Sequence, residues 1–316
     1  MRIAVIGGTG HIGTYLSPLL AEAGHDVVCV SRGARKPYRP HEAWQRIATV
    51  HLDRTAEDFA PQIAALRAAA VIDLTCYTSE SARQMVDALR GRVQHFLHCG
   101  TIWVHGHSVQ VPTTEDAPRQ PFGDYGCRKA AIEAYLLHEA RSGAFPATVL
   151  HPGHLVGPGW RPITPAGNFN PQTFSDLAAG NEVLLPNLGM ETLHHVHAAD
   201  VAQAFALAVA RPDAAVGESF HVVSPAALTL RGYAECMASW FGRAPRLRFL
   251  PWEEWRRAWP EKEAAITWDH LAHSPNCSIA KARAALGYDP AYSSLAAVQE
   301  AVTWLMEDGS ITRPRE

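Results

Sequence analysis

Tyr125 and Lys129 stand four residues apart in the segment YGCRK, a spacing that could support proton transfer. On a helix, residues at this spacing lie on one face, so the lysine ammonium can lie near the phenol. An unperturbed tyrosine has a pKa of about 10 and is a poor base at neutral pH, but a nearby cation favours the phenolate. The pair could therefore exchange a proton with a carbinol while a nicotinamide exchanges the hydride.

Thr101 follows the apolar segment HFLHC, which reads as a strand, and supplies a hydroxyl near its end. A second donor is needed to polarise the oxygen that Tyr125 protonates. A threonine at a strand end often bonds only to nearby backbone. Beside the Tyr125 and Lys129 pair, however, we interpret Thr101 as the third catalytic residue.

The glycine-rich segment GGTGHIG directly follows the first apolar run and opens a helical pattern. Glycines in this setting permit a tight turn and a close approach of backbone to a pyrophosphate, whose charge meets the helix N-terminus. The segment therefore predicts dinucleotide binding. The expected contacts from this loop are Gly7, Thr9, Gly10, His11, Ile12 and Gly13.

The second strand ends in Ser31 and Arg32, with Arg35 close behind, where an NAD site would have Asp or Glu for the ribose hydroxyls. Cations and a hydroxyl at this point suit a ribose phosphate, so the sequence favours NADP(H), and NAD(H) stays open. A solvated basic loop is the alternative interpretation. Asp53, after the third strand, could reach the adenine edge or cap a turn.

The composition of the 316-residue chain indicates an ordinary globular protein, with 47% hydrophobic residues and a net charge of −3. This charge gives no electrostatic reason to expect nucleic acid or an acidic membrane surface as a partner. The six cysteines form no CxxC pair, which argues against a disulfide framework or a structural zinc site. Without a signal-peptide pattern or a membrane span, we expect a cytoplasmic protein that acts on a small molecule, and a homodimer stays open.

Short apolar runs alternate with helical patterns over the first half of the chain, which predicts an α/β fold with a Rossmann-type doubly wound parallel sheet. A Pro- and Gly-rich loop begins near Val156, and the C-terminal third is helical. We predict a dinucleotide-binding domain from residues 1–167 and 194–225, and a smaller, mostly helical substrate lobe from residues 168–193 and 226–316. The run FLPWEEWRRAWP is expected to cover the exterior of that lobe.

The histidines of the segment HHVH invite a metal interpretation. On a strand, His195 and His197 share one face while His194 takes the other. A pair on one face without a third placed ligand is usually structural, so we expect no metal site.

Taken in chain order, the motifs of this sequence resemble those of the extended short-chain dehydrogenase/reductase family, which is usually labelled NAD-dependent epimerase/dehydratase. The matching segments are the glycine loop, Thr101 before VHG, the Tyr125 and Lys129 pair, HPGHLVGPG, HHVHAADVA and KARAALGYDP. The resemblance implies an NAD(P)-dependent enzyme with Thr101, Tyr125 and Lys129 as catalytic residues. It also implies cofactor contacts from Leu74, Thr75, Lys129, Pro152 and His154. The segments SRG and DLTCYTSE further resemble a bacterial subgroup akin to plastid RNA-binding proteins of this fold.

Two departures from the family pattern narrow the expected reaction. Dehydratases of the family carry an Asp-Glu pair directly after the threonine, but Ile102 and Trp103 stand here, which disfavours elimination. The arginine that commonly pairs with a sugar-nucleotide pyrophosphate is replaced by Leu193. We expect instead a pocket with aromatic walls and a few hydrogen-bonding groups, formed by Trp103, His105, Tyr125, His154, Trp160 and Asn168.

Three functions remain open at this point. The first is hydride transfer at a secondary alcohol or ketone of a small polar metabolite, sugar-like or a natural product. The second is an NAD-dependent epimerase of sugars or nucleotide sugars, which oxidises and re-reduces one carbon. The third is an RNA-associated protein that keeps the fold without the chemistry; the intact catalytic residues and the near-neutral charge argue against it.

Overall fold

The computed structural model describes residues 1–311 and contains thirteen strands within that range. They are β1 (Arg2–Ile6), β2 (Asp26–Ser31), β3 (Ala48–His51), β4 (Ala70–Asp73), β5 (His95–Cys99), β6 (Ala147–Pro152), β7 (His154–Val156), β8 (Val183–Pro186), β9 (Thr192–Leu193), β10 (His195–His197), β11 (Ser219–Val222), β12 (Leu228–Thr229) and β13 (Leu247–Leu250).

Twelve α-helices lie in the same described range. They are α1 (Gly13–Glu22), α2 (Phe59–Ala65), α3 (Ser79–Leu89), α4 (Gly123–Arg141), α5 (Gln172–Ala179), α6 (Ala198–Ala210), α7 (Pro212–Ala215), α8 (Leu230–Trp240), α9 (Trp252–Trp255), α10 (Glu261–His273), α11 (Ala280–Leu286) and α12 (Ser294–Glu307). Short 3-10 helices span Glu42–Arg46, Ile102–His105 and Arg256–Ala258. Among these described helices, none combines the length and the apolar character needed to cross a membrane.

Seven of the strands form one parallel sheet in the order β11-β6-β5-β4-β1-β2-β3. The chain moves outward from β1 to β3 and then crosses to β4 on the opposite side of β1. This reversal of strand order is the switch point at which open α/β sheets bind ligands, beyond the carboxyl ends of the strands. The predicted Rossmann-type α/β fold is confirmed.

Burial accounts for the largely apolar sequences of several strands, from the centre of the sheet to the edge strand β11. Every residue of β4, β5, β6 and β11 is buried, as expected for parallel strands covered by helices on both faces. One core cluster joins the sheet to α1 and α6 through side chains such as Leu16 and Phe205. A second joins the other face to α2, α3 and α4 through side chains such as Ile63 and Ile132.

A third core cluster lies among α5, α8, α12 and the strand β8, with Phe174, Tyr233 and Val302 at its centre. Strand β8 pairs with β13 in a small parallel sheet of its own. The division into two domains stays a prediction, and residues 312–316 of the predicted substrate lobe lie outside the described residues.

The tryptophan-rich run corrects one expectation from the sequence. Trp255 is 0% exposed, and its indole N–H donates to the Leu184 carbonyl over 2.9 Å. Its ring stacks with those of Trp252 and Trp259 at centroid distances of 5.5 and 5.2 Å. The run therefore builds part of the interior of this region and is not only its outer cover, because the indole nitrogen finds a carbonyl partner inside.

Candidate active site

Helix α4 carries Tyr125 and Lys129 one turn apart, as the spacing predicts. Lys129 is 2% exposed, and its Nζ lies 6.0 Å from the centroid of the Tyr125 ring. The ammonium donates to the backbone carbonyls of Cys76 and Cys99 over 2.8 and 2.7 Å. An ammonium has three N–H donors, so these two bonds fix the lysine between the ends of β4 and β5 and leave one donor free.

The surroundings of Tyr125 act on its phenol in opposite directions. Burial raises the pKa of the Tyr125 phenol above its usual value, and a hydrogen bond with the Thr101 side chain lowers it. Burial also lowers the pKa of Lys129. The residue Tyr125 is 43% exposed as a whole, so ring surface remains open to an incoming substrate. At neutral pH the phenol therefore keeps its proton and can donate it.

Thr101 sits at the junction between β5 and the 3-10 helix Ile102–His105. Its hydroxyl oxygen accepts from the Trp103 amide over 3.3 Å, which caps that short helix. The same side chain also acts on Tyr125, because it lowers the pKa of the phenol. The structure thus brings Thr101, Tyr125 and Lys129 together, and their catalytic roles stay predictions.

A cavity of about 200 Å³ opens beside this cluster. Its lining residues are uncharged side chains and glycine: Thr101, Ile102, Trp103, Tyr125, Gly153, His154, Leu155, Trp160, Ile163, Phe169 and His270. Four of the expected substrate contacts therefore lie here, namely Trp103, Tyr125, His154 and Trp160. The sequence reasoning missed His270, which arrives from α10 and has no local motif that could have revealed it.

The histidines of this cavity are neutral at physiological pH. Burial lowers the pKa of His154 far below its ordinary value, and the pKa of His270 to about 4. Among residues 1–311, neither ring nitrogen of His154 has a hydrogen-bond partner. His270 donates from Nδ1 to the Ile266 carbonyl over 2.8 Å. His154 thus lines the cavity with two buried ring nitrogens that have no protein partner.

Two expected substrate contacts lie outside this cavity. His105 is buried behind it, with Nε2 facing His221 Nε2 at 2.8 Å. Asn168 is fully buried as well, and its amide donates to Thr267 Oγ1 over 3.2 Å while its carbonyl oxygen accepts from the Asn170 amide. Both side chains use their polar atoms to hold protein segments together, which corrects the predicted lining.

A larger cavity of about 490 Å³ lies at the carboxyl ends of β1, β2 and β4. Eight of the predicted cofactor contacts line it: Gly7, Thr9, Gly10, Ser31, Arg32, Arg35, Asp53 and Thr75. Tyr77 and Arg54, which the sequence reasoning missed, line it too. The Lys129 ammonium lies 4.7 Å from the centroid of the Tyr77 ring, so Lys129 stands between this cavity and Tyr125.

The glycine loop fits a dinucleotide because side chains are sterically excluded from it. Gly7 has a φ of +82°, and a Cβ there would lie 2.6 Å from Thr75 Cγ2. A Cβ on Gly13 would lie 2.5 Å from the backbone of Gly8. The loop therefore presents bare backbone at the N-terminus of α1, where the helix dipole favours a phosphate group.

The far end of the larger cavity carries two exposed cations. Among the described residues, neither Arg32 nor Arg35 forms a salt bridge. Arg54 differs, because it donates to both carboxylate oxygens of the buried Asp73 over 2.8 and 2.6 Å. Asp53 accepts from the Thr55 amide and hydroxyl, as a turn cap does, while still lining the cavity.

The remaining predicted cofactor contacts lie outside the larger cavity. Ile12 belongs to the core, Leu74 packs against it, and Pro152 is buried at the end of β6. His11 is enclosed between Trp160 and Tyr38, with ring centroids at 4.9 and 5.8 Å. The contacts of these residues with a cofactor stay predictions.

The histidines of the HHVH segment each bond to nearby protein atoms. His194 donates from Nε2 to the Ser224 carbonyl, and His195 from Nε2 to the Ile163 carbonyl. His197 accepts the Ala199 amide at Nδ1 and so caps α6. Within the part of the chain that the structure describes, no group of three His, Cys, Asp or Glu residues is arranged to hold a metal ion.

The sequence of this chain is similar to those of a known family and of two curated proteins. The model of the family described as NAD dependent epimerase/dehydratase matches residues 3–222. A curated relative, 2'-dehydrokanamycin reductase of Streptomyces kanamyceticus, is 28% identical over 250 residues, covering 77% of this chain and 67% of the relative. The chloroplast stem-loop binding protein of 41 kDa b of Arabidopsis thaliana is 26% identical over 304 residues, covering 92% and 75%.

Among solved structures, the fold is similar to that of the UDP-glucose 4-epimerase of Thermotoga maritima. The TM-score is 0.75 with 21% identity, and the match covers 98% of this chain and 99% of that one. At this identity the likeness shows a shared fold.

Proposed function

This chain belongs to the NAD-dependent epimerase/dehydratase family, and on that premise we propose that it is an NADP(H)-dependent reductase of a small, uncharged polar ketone. The observation that carries the proposal is the placement of the Tyr125 phenol and the Thr101 hydroxyl at a cavity without charged walls. In the reverse direction the same groups would serve oxidation of a secondary alcohol.

The residues of the small cavity can carry out the proton half of a carbonyl reduction. A nicotinamide cofactor in the larger cavity would supply the hydride. The Tyr125 phenol donates its proton to the carbonyl oxygen, and the Thr101 hydroxyl donates a hydrogen bond to the same oxygen. Lys129, with one N–H donor left free, stabilises the phenolate that remains. The raised pKa of Tyr125 suits this direction, because the acid must hold its proton at neutral pH.

The preference for NADP(H) rests on the two arginines at the far end of the larger cavity. Arg32 and Arg35 follow β2, where a ribose-binding carboxylate would stand in an NAD site. Neither forms a salt bridge within residues 1–311, although the Asp53 carboxylate interacts electrostatically with Arg32, so both guanidinium groups can still bind a phosphate. Arg54 is a poorer candidate, because Asp73 already neutralises it.

The cavity walls favour an uncharged substrate over a nucleotide sugar. All of the lining residues are apolar, hydroxylated or neutral imidazoles, so no cation there can meet a pyrophosphate. Leu193, at the position where nucleotide-sugar enzymes of the family commonly have arginine, is fully buried in the third core cluster. The relative from Streptomyces kanamyceticus is named 2'-dehydrokanamycin reductase, which supports reduction as the reaction of this chain.

Turnover assays on purified protein test the proposal. We expect NADPH to be consumed with small, uncharged sugar-like ketones, and UDP-glucose to be left unconverted. Conversion of UDP-glucose to its epimer without net cofactor change would instead support the epimerase. Binding of stem-loop RNA at physiological salt, with no turnover of any ketone, would support the RNA-associated alternative suggested by the chloroplast relative.

A further inference from the structure

A chain of buried polar side chains runs behind Thr101, away from both cavities. The Thr101 amide donates to His151 Nδ1 over 3.0 Å, and His151 Nε2 lies 2.9 Å from Glu133 Oε1. His151 is on β6, Glu133 is on α4, and both are buried. The same helix that presents Tyr125 and Lys129 therefore also reaches the backbone of Thr101 through an imidazole.

The carboxylate of Glu133 is anchored from a second side. Arg119 donates to both of its oxygens over 3.1 and 2.6 Å, and also to Ser219 Oγ over 3.2 Å. Although burial raises the pKa of Glu133, His151 and Arg119 together hold it well below its usual range. Glu133 is therefore an anion whose Oε1 accepts a hydrogen bond from the Nε2–H of His151.

That charge sets the tautomer of His151. Since Glu133 takes the N–H at Nε2, a neutral imidazole has its lone pair at Nδ1, where the Thr101 amide donates. The amide needs this acceptor, because the ladder between β5 and β6 ends one residue earlier, with the Gly100 amide bonded to the Leu150 carbonyl at 2.7 Å. A buried amide without an acceptor would be costly.

Gly100 shows that the backbone closes tightly on the imidazole. A Cβ on Gly100 would lie 2.4 Å from His151 Nδ1 and 2.7 Å from its Cε1. Any side chain at position 100 would push the ring and the Thr101 backbone apart. The segment from Gly100 to Thr101 is therefore fitted to His151.

We propose that His151 is a positioning residue that holds the Thr101 hydroxyl in line with Tyr125 and the substrate oxygen, with Glu133 fixing its tautomer. The inference rests on the proposed catalytic role of Thr101. His151 touches neither cavity, so it acts on catalysis only through the Thr101 backbone. Reaction rates respond strongly to small displacements of a catalytic group, which is why such a contact matters.

Two substitutions test the roles of the two ring nitrogens of His151 separately. In His151→Asn the side-chain oxygen can replace Nδ1 as the acceptor for Thr101, whereas His151→Gln reaches toward Glu133 and leaves the Thr101 amide without an acceptor. We expect kcat of His151→Gln to fall about ten- to a hundredfold at unchanged NADPH affinity. His151→Asn should keep kcat within a few-fold. Equal kcat values for both variants would overturn the inference.

Two further measurements distinguish the role of His151 from that of Thr101. Thr101→Ala tests the proposed function itself: if it leaves turnover intact, the role of Thr101 is wrong, whereas a dead Thr101→Ala beside a fully active His151→Gln refutes only the role of His151. If a variant does not fold, ¹⁵N NMR of histidine-labelled wild type decides. Protonated Nε2 and unprotonated Nδ1 on His151 agree with the inference, and the opposite tautomer contradicts it.

Discussion

At the scale of single residues, the chemistry depends on two hydroxyls and one ammonium held at fixed backbone positions. Lys129 is fixed by the carbonyls of Cys76 and Cys99, and the hydroxyl of Thr101 joins the phenol of Tyr125. The position of Tyr125 and Lys129 on one face of a helix could be predicted from the sequence, because residues four apart lie about one turn from each other. The carbonyl partners of Lys129 could not, because they come from the ends of two distant strands.

Tyr125→Phe tests the proton donor. The substitution removes one hydroxyl at the small cavity and leaves the larger cavity unchanged, so kcat for ketone reduction should fall by about a hundredfold or more, in the range of general acid catalysis. NADPH affinity should stay within a few-fold. Steady-state kinetics and calorimetric titration measure the two effects. Tyr135→Phe, the same change about three turns further along the same helix, is the control and should keep both values. Loss of NADPH binding in Tyr125→Phe with normal turnover would refute the assigned role.

Arg32→Ala tests the cofactor preference. Loss of a charge-assisted hydrogen bond to the ribose phosphate should weaken NADPH binding about ten- to a hundredfold. NADH lacks that phosphate and serves as the internal control, with affinity nearly unchanged. Arg35 can take over part of the contact, so the double change to Ala at Arg32 and Arg35 should exceed either single one. Equal weakening of the two cofactors in calorimetry would show that the basic loop is only a solvated surface.

At the scale of secondary-structure elements, the parallel strands of the first half could be predicted from their apolar runs. The role of the glycine loop could be predicted from its position between β1 and α1. Contacts that depend on long-range packing could not be predicted. His270 enters the small cavity from α10, while Asn168 turns inward to bind Thr267 on that helix. His105 looked like a pocket residue from its place after Thr101, yet the 3-10 helix there directs its ring toward His221. Hydrophobic periodicity carries no information on such pairings.

The glycine loop provides a matched pair of substitutions. Gly7 and Gly24 have nearly the same φ, +82° and +84°, but a Cβ on Gly7 meets Thr75 Cγ2 at 2.6 Å and one on Gly24 meets nothing within 4 Å. Gly24→Ala should therefore cost only the backbone strain, about 1 kcal/mol of unfolding free energy. Gly7→Ala should cost clearly more and should abolish NADPH binding. Thermal unfolding and cofactor titration compare the two, and equal effects would mean that the loop does not cradle a cofactor.

At the scale of the whole molecule, the chain buries an unusual number of histidines as neutral side chains. Ten of its 17 histidines are buried with a lowered pKa: His11, His95, His98, His105, His194, His195, His197, His221, His270 and His273. Burial is the largest cause of the lowered pKa in each, with values of about 3 or 4 for most of them, such as His195 and His270. In the unfolded chain these imidazoles have their ordinary pKa, so in mild acid the unfolded chain binds protons that the folded chain does not bind.

This difference predicts a sharp loss of stability in mild acid. The pKa values of these histidines are depressed in the folded state, so above pH about 6.5 each histidine is neutral in both the folded and the unfolded state. Below that pH, protonation of each histidine in the unfolded state lowers the free energy of unfolding by about 1.4 kcal/mol per pH unit. Ten such groups would remove a typical stability of 5–15 kcal/mol within about one to two pH units. Circular dichroism should show cooperative unfolding between about pH 4.5 and 6. Stability that stays flat to pH 4 would contradict the burial of neutral imidazoles.

Transfer of a labelled hydride tests the proposed reductase most directly. The protein would be incubated with a ketone found in the turnover assays and with NADPH fully deuterated at C4 of the nicotinamide. We expect mass spectrometry to find one deuterium at the carbinol carbon of the product for each NADPH oxidised, and Tyr125→Phe to form this product at least about a hundredfold more slowly. Product that carries no deuterium, or a substrate that changes configuration while NADPH stays unconsumed, would contradict it.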